Sequence, residues 1–138
     1  AAAVAGAFYD AGFRAGTIIA RNEAAGTALA RRYGYAWIPE PGDLRAPVIV
    51  NVTPIGMSGG AESEQLAYPQ PTIEVASVVF DVVAMPVETP LIRAARAAGR
   101  EVITGGEVIA LQAAEQFRLY TGVTLSPDDI AQAEAQAN

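Results

Sequence analysis

The stretch Val48-Ile49-Val50-Asn51-Val52-Thr53-Pro54-Ile55-Gly56-Met57 constrains the fold more than any other part of this chain. A β-branched apolar run of this kind reads as a strand of a parallel sheet, buried on both faces. It stops abruptly at a polar loop holding Asn51, Thr53, Pro54 and Gly56. Open parallel sheets bind their ligands beyond the carboxyl ends of their strands, so this loop is a candidate site edge. Pro54 and Gly56 alone would also justify an ordinary turn.

The rest of the chain repeats the alternation. Residues 1–12 read as a helix with an apolar stripe at Val4, Ala7, Phe8 and Ala11 and a stop at Gly12. Thr17-Ile18-Ile19-Ala20 reads as a short buried strand, and Glu23 to Tyr33 as a helix capped by Asn22, with Leu29 and Tyr33 toward the sheet. Tyr35 to Ile38 fits an edge strand ended by Pro39 and Pro41. Gly59 to Gln65 reads as loop or short helix, and Ala76 to Val83 as an apolar strand. Thr89 caps a helix with Pro90 at its first position and Gly99 past its end. Glu101 to Ile103 is a short strand. Gly105 to Tyr120 is a long helix with an apolar face of Val108, Leu111, Ala114 and Leu119. Ser126-Pro127-Asp128-Asp129 opens a last helix, where the two carboxylates complement the helix dipole rather than form a site. Strands alternating with helices predict an α/β fold with a doubly wound parallel sheet.

Composition narrows the function. The chain has 138 residues, half of them hydrophobic, and a net charge of −6. That is one domain's length, and the charge argues against nucleic acid as a partner. No apolar run approaches a membrane span, and no signal-peptide pattern opens the chain, which points to a cytoplasmic protein. There is no Cys and no His, so thiol chemistry and the commonest metal ligands are missing. Every basic side chain is Arg, so no Lys is present either.

Three segments carry a family resemblance, in order. The first is the run from Val48 to Met57, which resembles the Asn-Ala-Thr-Pro-Leu-Gly-Met strand end of the shikimate dehydrogenase family. The second is Phe80-Asp81-Val82-Val83-Ala84-Met85-Pro86-Val87-Glu88-Thr89-Pro90-Leu91, and the third Gly105-Gly106-Glu107-Val108-Ile109-Ala110-Leu111-Gln112-Ala113. The resemblance reaches from the first helix to Gly122. It implies a Rossmann-type domain and NADP-dependent interconversion of shikimate, or a related cyclic polyol acid, with its 3-dehydro ketone, in aromatic amino acid biosynthesis. A quinate or amino-shikimate dehydrogenase would share the cofactor residues, and a non-catalytic α/β binding module would keep only the shape. Ala25, Ala84, Met85 and Val108 depart from the family pattern and point to a divergent branch.

A dinucleotide-binding unit begins with a strand and a Gly-rich turn, and neither precedes the first helix here. The expectation is therefore that residues 1–138 are an incomplete dinucleotide-binding domain lacking the central strand and Gly-rich loop. The substrate domain, with the family's Lys–Asp pair, would lie outside this sequence. The chain alone would then be inactive. An Arg after the second strand of such a fold accommodates the 2′-phosphate of NADP, which selects Arg21 and its neighbour Asn22. The resemblance implies further cofactor contacts at Thr53, Met57, Val82, Gly105 and Val108, and assigns Gln112 to the substrate hydroxyls. For Asp81 the residues favour a structural role, as a helix cap or Arg partner.

Overall fold

Residues 1–137 are described by a computed structural model. The chain divides into a first unit, Ala1–Leu44, and a second that begins at Arg45.

The first unit holds α1 (Ala2–Asp10), β1 (Thr17–Ile19), α2 (Glu23–Tyr33) and β2 (Ala36–Ile38). The strands pair in parallel, Thr17 opposite Ala36 and Ile19 opposite Ile38. α2 begins where the Asn22 Oδ1 accepts the Ala25 N–H at 2.9 Å, and ends at Gly34 in the left-handed region, φ 69°. Such a cap satisfies one of the amides that a helix start leaves unpaired. The buried face of α2 is made by Gly26 and Ala30, whereas Leu29 and Tyr33, expected to face the sheet, are half-buried. The reason is the Trp37 indole, which lies so close to Gly26 that a Cβ there would overlap it. Tyr33 packs instead on Tyr9 and Tyr35, at ring separations of 5.4 and 6.0 Å. α1 stops at Asp10, short of the expected Gly12, which takes φ 98° in the turn beyond.

The second unit holds β3 (Val48–Asn51), α3 (Gln70–Val75), β4 (Val78–Asp81), α4 (Pro90–Ala97), β5 (Glu101–Ile103), α5 (Gly105–Thr121) and α6 (Pro127–Ala137). Its three strands form a parallel sheet in the order β3-β4-β5. The core beneath it is Ile49, Ile73, Ala76, Val79, Leu91 and Ala95. Burying side chains the size of Ile73 and Leu91 stabilises a fold by roughly 1.5–3 kcal/mol each.

The single expected sheet is thus two separate ladders, and among the described residues no strand pair joins β1 to β3. Each ladder keeps the neighbours that the doubly wound order predicts once its central strand is removed. β4 is shorter than the expected strand over 76–83. Ala76 closes α3, and Val83 has left the ladder because the Asp81 carboxylate takes its N–H. The segment 59–65 is a chain of turns. α3 lies in a stretch whose periodicity gave no helix signal.

Candidate functional site

The two longest strands of the second unit end in polar residues that face one another. Asn51 closes β3 and Asp81 closes β4, and the register pairs them. Both are buried, at 2% and 0% exposure. Buried polar groups must find partners, and these do. Asn51 Nδ2 donates to Asp81 Oδ1 at 3.0 Å and to the Ile55 carbonyl at 3.1 Å. Asn51 Oδ1 accepts from the Thr53 N–H at 3.0 Å and the Thr53 hydroxyl at 2.6 Å. Asp81 Oδ1 also accepts the Val83 N–H at 3.0 Å, and Oδ2 accepts the Thr89 hydroxyl at 2.7 Å. Thr89 Oγ1 in turn accepts the Ile92 N–H at 3.2 Å, which caps α4. Burial pushes the Asp81 carboxyl above its ordinary range, and the Thr89, Val83 and Asn51 hydrogen bonds oppose that shift.

α5 is seated on the same edge. A Cβ on Gly105 would overlap the Val83 carbonyl, so only glycine admits this approach of helix to strand end. The start of α5 carries a capping box: Thr104 Oγ1 accepts the Glu107 N–H at 3.3 Å, and the Glu107 carboxylate accepts the Thr104 N–H at 2.6 Å. That carboxylate already places a negative charge in the first turn, so this helix start suits an uncharged group better than a phosphate.

The residues singled out in the sequence fall as follows. Thr53 is exposed in the loop after β3, its hydroxyl committed to Asn51 and accepting the Ile55 N–H at 3.2 Å. Met57 lies further along this loop, 43% exposed. Val82 follows β4, half-buried, and its N–H reaches the Asn51 carbonyl at 3.0 Å. Gly105, Val108 and Gln112 share one face of α5 by helical spacing, buried, half-buried and exposed in turn. In the first unit, Arg21 and Asn22 are exposed directly after β1 and Ala20, and the Asn22 side chain is occupied as the cap of α2. Two expectations for α5 are corrected: Leu111 and Leu119 are 62% and 67% exposed rather than part of a packed face. Helical periodicity identifies a stripe but not whether a neighbouring element covers it.

What residue-by-residue inspection missed is that Asn51, Asp81 and Thr89 act as one network. The available signal was a polar residue at the end of each apolar strand. Tyr68 was also missed: its hydroxyl donates to the Val50 carbonyl at 2.8 Å, and burial pushes its pKa up to about 12.

A depression of about 120 Å³ beside the β3-end loop is lined by Gly56, Ser58, Glu64, Pro86, Pro90 and Arg93. It is well below the roughly 300–1,000 Å³ of sites for drug-sized ligands. Among the described residues no group of three or more His, Cys, Asp or Glu could hold a metal ion. No described helix is long and apolar enough to cross a membrane.

The fold and its strand-end site define a parallel α/β protein of the Rossmann type. No family model matches the chain. A shikimate dehydrogenase-like protein of Haemophilus influenzae is 53% identical over 137 residues, covering 99% of this chain and 51% of that protein. A shikimate 5-dehydrogenase from Thermus thermophilus, solved with NADP(H) and shikimate, superposes with a TM-score of 0.82 at 30% identity, covering 99% of this chain and 51% of that one. A quinate dehydrogenase from Corynebacterium glutamicum, solved with NAD, has a TM-score of 0.80 at 27% identity, covering 97% and 49%. The chain is thus a homologue of the shikimate dehydrogenases, as its three motifs imply, and it spans about half the length of the relatives it matches.

Proposed function

We propose that the protein containing this chain is an NADP-dependent oxidoreductase that interconverts shikimate, or a related cyclic polyol acid, with its 3-dehydro ketone. The observation that carries the proposal is the placement of Thr53, Val82 and Gly105 along one carboxyl sheet edge, in a homologue of the shikimate dehydrogenases. Residues 1–138 are read as an incomplete dinucleotide-binding domain, ending in the helices α5 and α6, with the substrate domain elsewhere in the protein. The half-length match to the relatives supports that division.

When bound, NADP supplies the acceptor for a hydride leaving the alcohol carbon. This chain's residues bind and orient. Arg21, with Asn22 beside it, is assigned to the ribose 2′-phosphate, since a planar guanidinium suits a phosphate. Thr53, Met57, Val82, Gly105 and Val108 are assigned to the nicotinamide end. Gln112 carries an amide with donors and an acceptor, which suits the hydroxyls of a polyol acid. The alcohol proton needs a base; the family resemblance assigns it to a Lys–Asp pair of the substrate domain, and this chain has no Lys. The 138-residue chain by itself is therefore expected to turn over nothing.

The deciding experiment is dinucleotide titration of the full-length protein and its Arg21→Ala variant. Selective loss of NADP+ over NAD+ affinity is expected; equal affinities before and after the substitution would defeat the assignment. The quinate dehydrogenase neighbour favours a second substrate, quinate, and the presence of NAD in that structure makes NAD the competing cofactor. Comparing kcat/KM for shikimate and quinate with each cofactor separates the two.

A further inference from the structure

We propose that Asp81 is the positioning residue of this site: its two carboxylate oxygens set the placement of the β3-end loop against the β4-end turn and the start of α4. The inference rests on the dehydrogenase function proposed above, and it adds a residue that contacts no ligand. Three donors converge on this one buried side chain. Asn51 Nδ2 and the Val83 N–H share Oδ1, both at 3.0 Å, and the Thr89 hydroxyl takes Oδ2 at 2.7 Å. Each donor belongs to a different wall. Asn51 carries the loop of Thr53 and Ile55 through its own amide. Val83 presents the carbonyl against which Gly105, and hence α5, is seated. Thr89 caps α4.

The carboxylate has no substitute within the network. Asn51 spends its amide on both Asp81 and Ile55, and its carbonyl oxygen on Thr53. If Thr89 loses its hydroxyl, Oδ2 is left buried without a donor, which is costly for an ionised group. The carboxylate can recover a partner only by turning away from Asn51 or Val83. That motion loosens the loop of Thr53 and the seat of Gly105, which are the proposed nicotinamide-side walls. Arg21, assigned to the 2′-phosphate end, belongs to the other unit. A purely structural Asp81 would lower stability without discriminating between the two ends of a dinucleotide.

The test uses the full-length protein containing this chain, titrated with NADP+ and separately with adenosine 2′,5′-bisphosphate, which lacks the nicotinamide half. In Thr89→Val, NADP+ affinity should fall roughly tenfold, the scale of one charge-assisted hydrogen bond, with bisphosphate affinity unchanged. Thr89→Ser keeps the hydroxyl and should restore NADP+ binding. If Thr89→Val does not fold, Asp81→Asn, of equal shape, should show the same selective loss. A variant that melts earlier but keeps the wild-type ratio of the two affinities overturns the positioning role and leaves the proposed function standing. Wild-type protein that binds neither probe removes the function and this role together.

Discussion

Asp81 shows how much one residue can settle in a fold of this kind. Its carboxyl is pushed above the ordinary 3.8 by burial, against the pull of three hydrogen bonds. A raised native pKa means that the folded chain holds this proton more tightly than the unfolded chain does. Its contribution to stability is therefore full below 3.8 and is lost as pH rises through the raised value. Asp81→Asn lacks that dependence. The wild type's stability relative to the variant should shrink as pH climbs through this window and then level off, read as melting temperature against pH for both proteins. A difference that grows with pH would contradict the shift. Gly105 gives a second test. Gly105→Ala drives a Cβ into the Val83 carbonyl, a backbone group that cannot swing aside, and should cost about 1–3 kcal/mol in denaturant unfolding. At this scale the sequence was partly legible. A polar Asp81 after Val78, Val79 and Phe80 pointed to a helix cap or an Arg partner; the structure instead gives it Asn51, Val83 and Thr89, with Thr89 as the cap of α4. Partners so far apart in the chain leave no local pattern.

Elements announced by their ends were the readable ones. Asn22, Thr89 and Thr104 each cap a helix with a side-chain oxygen, and the structure confirms the caps expected at Asn22 and Thr89. Thr104→Ala removes one half of the capping box of α5 and should destabilise by about 1 kcal/mol in thermal melts. The short helix α3 was not readable. It has six residues, starts after Pro69 and has Pro71 in its first turn, so no apolar period could develop. Its packing is nonetheless central, since Ile73 is fully buried in the core beneath the sheet. Ile73→Ala should cost about 2–5 kcal/mol by denaturant titration, and a loss under 1 kcal/mol would mean that α3 is peripheral. The outer faces of α5 were misread for the opposite reason: Leu111 and Leu119 have the right spacing for a core and remain exposed.

Across the whole molecule, the alternation of strand and helix foretold the parallel α/β class. The single sheet expected from that alternation is instead two ladders, β1-β2 and β3-β4-β5. The three motif segments, Asn51 to Met57, Asp81 to Leu91 and Gly105 to Gln112, all lie at carboxyl strand ends or in the helix that follows. Under the proposed function, the proton-accepting group lies in the substrate domain rather than in this chain, which has no Lys. The decisive measurement is the initial rate of NADP+ reduction by the full-length protein with shikimate, quinate and no substrate. Shikimate-dependent NADPH formation, abolished in the isolated 138-residue chain, is the result expected. Absence of turnover with either acid, together with no binding of NADP+, would show that the fold has been kept and the dehydrogenase function lost.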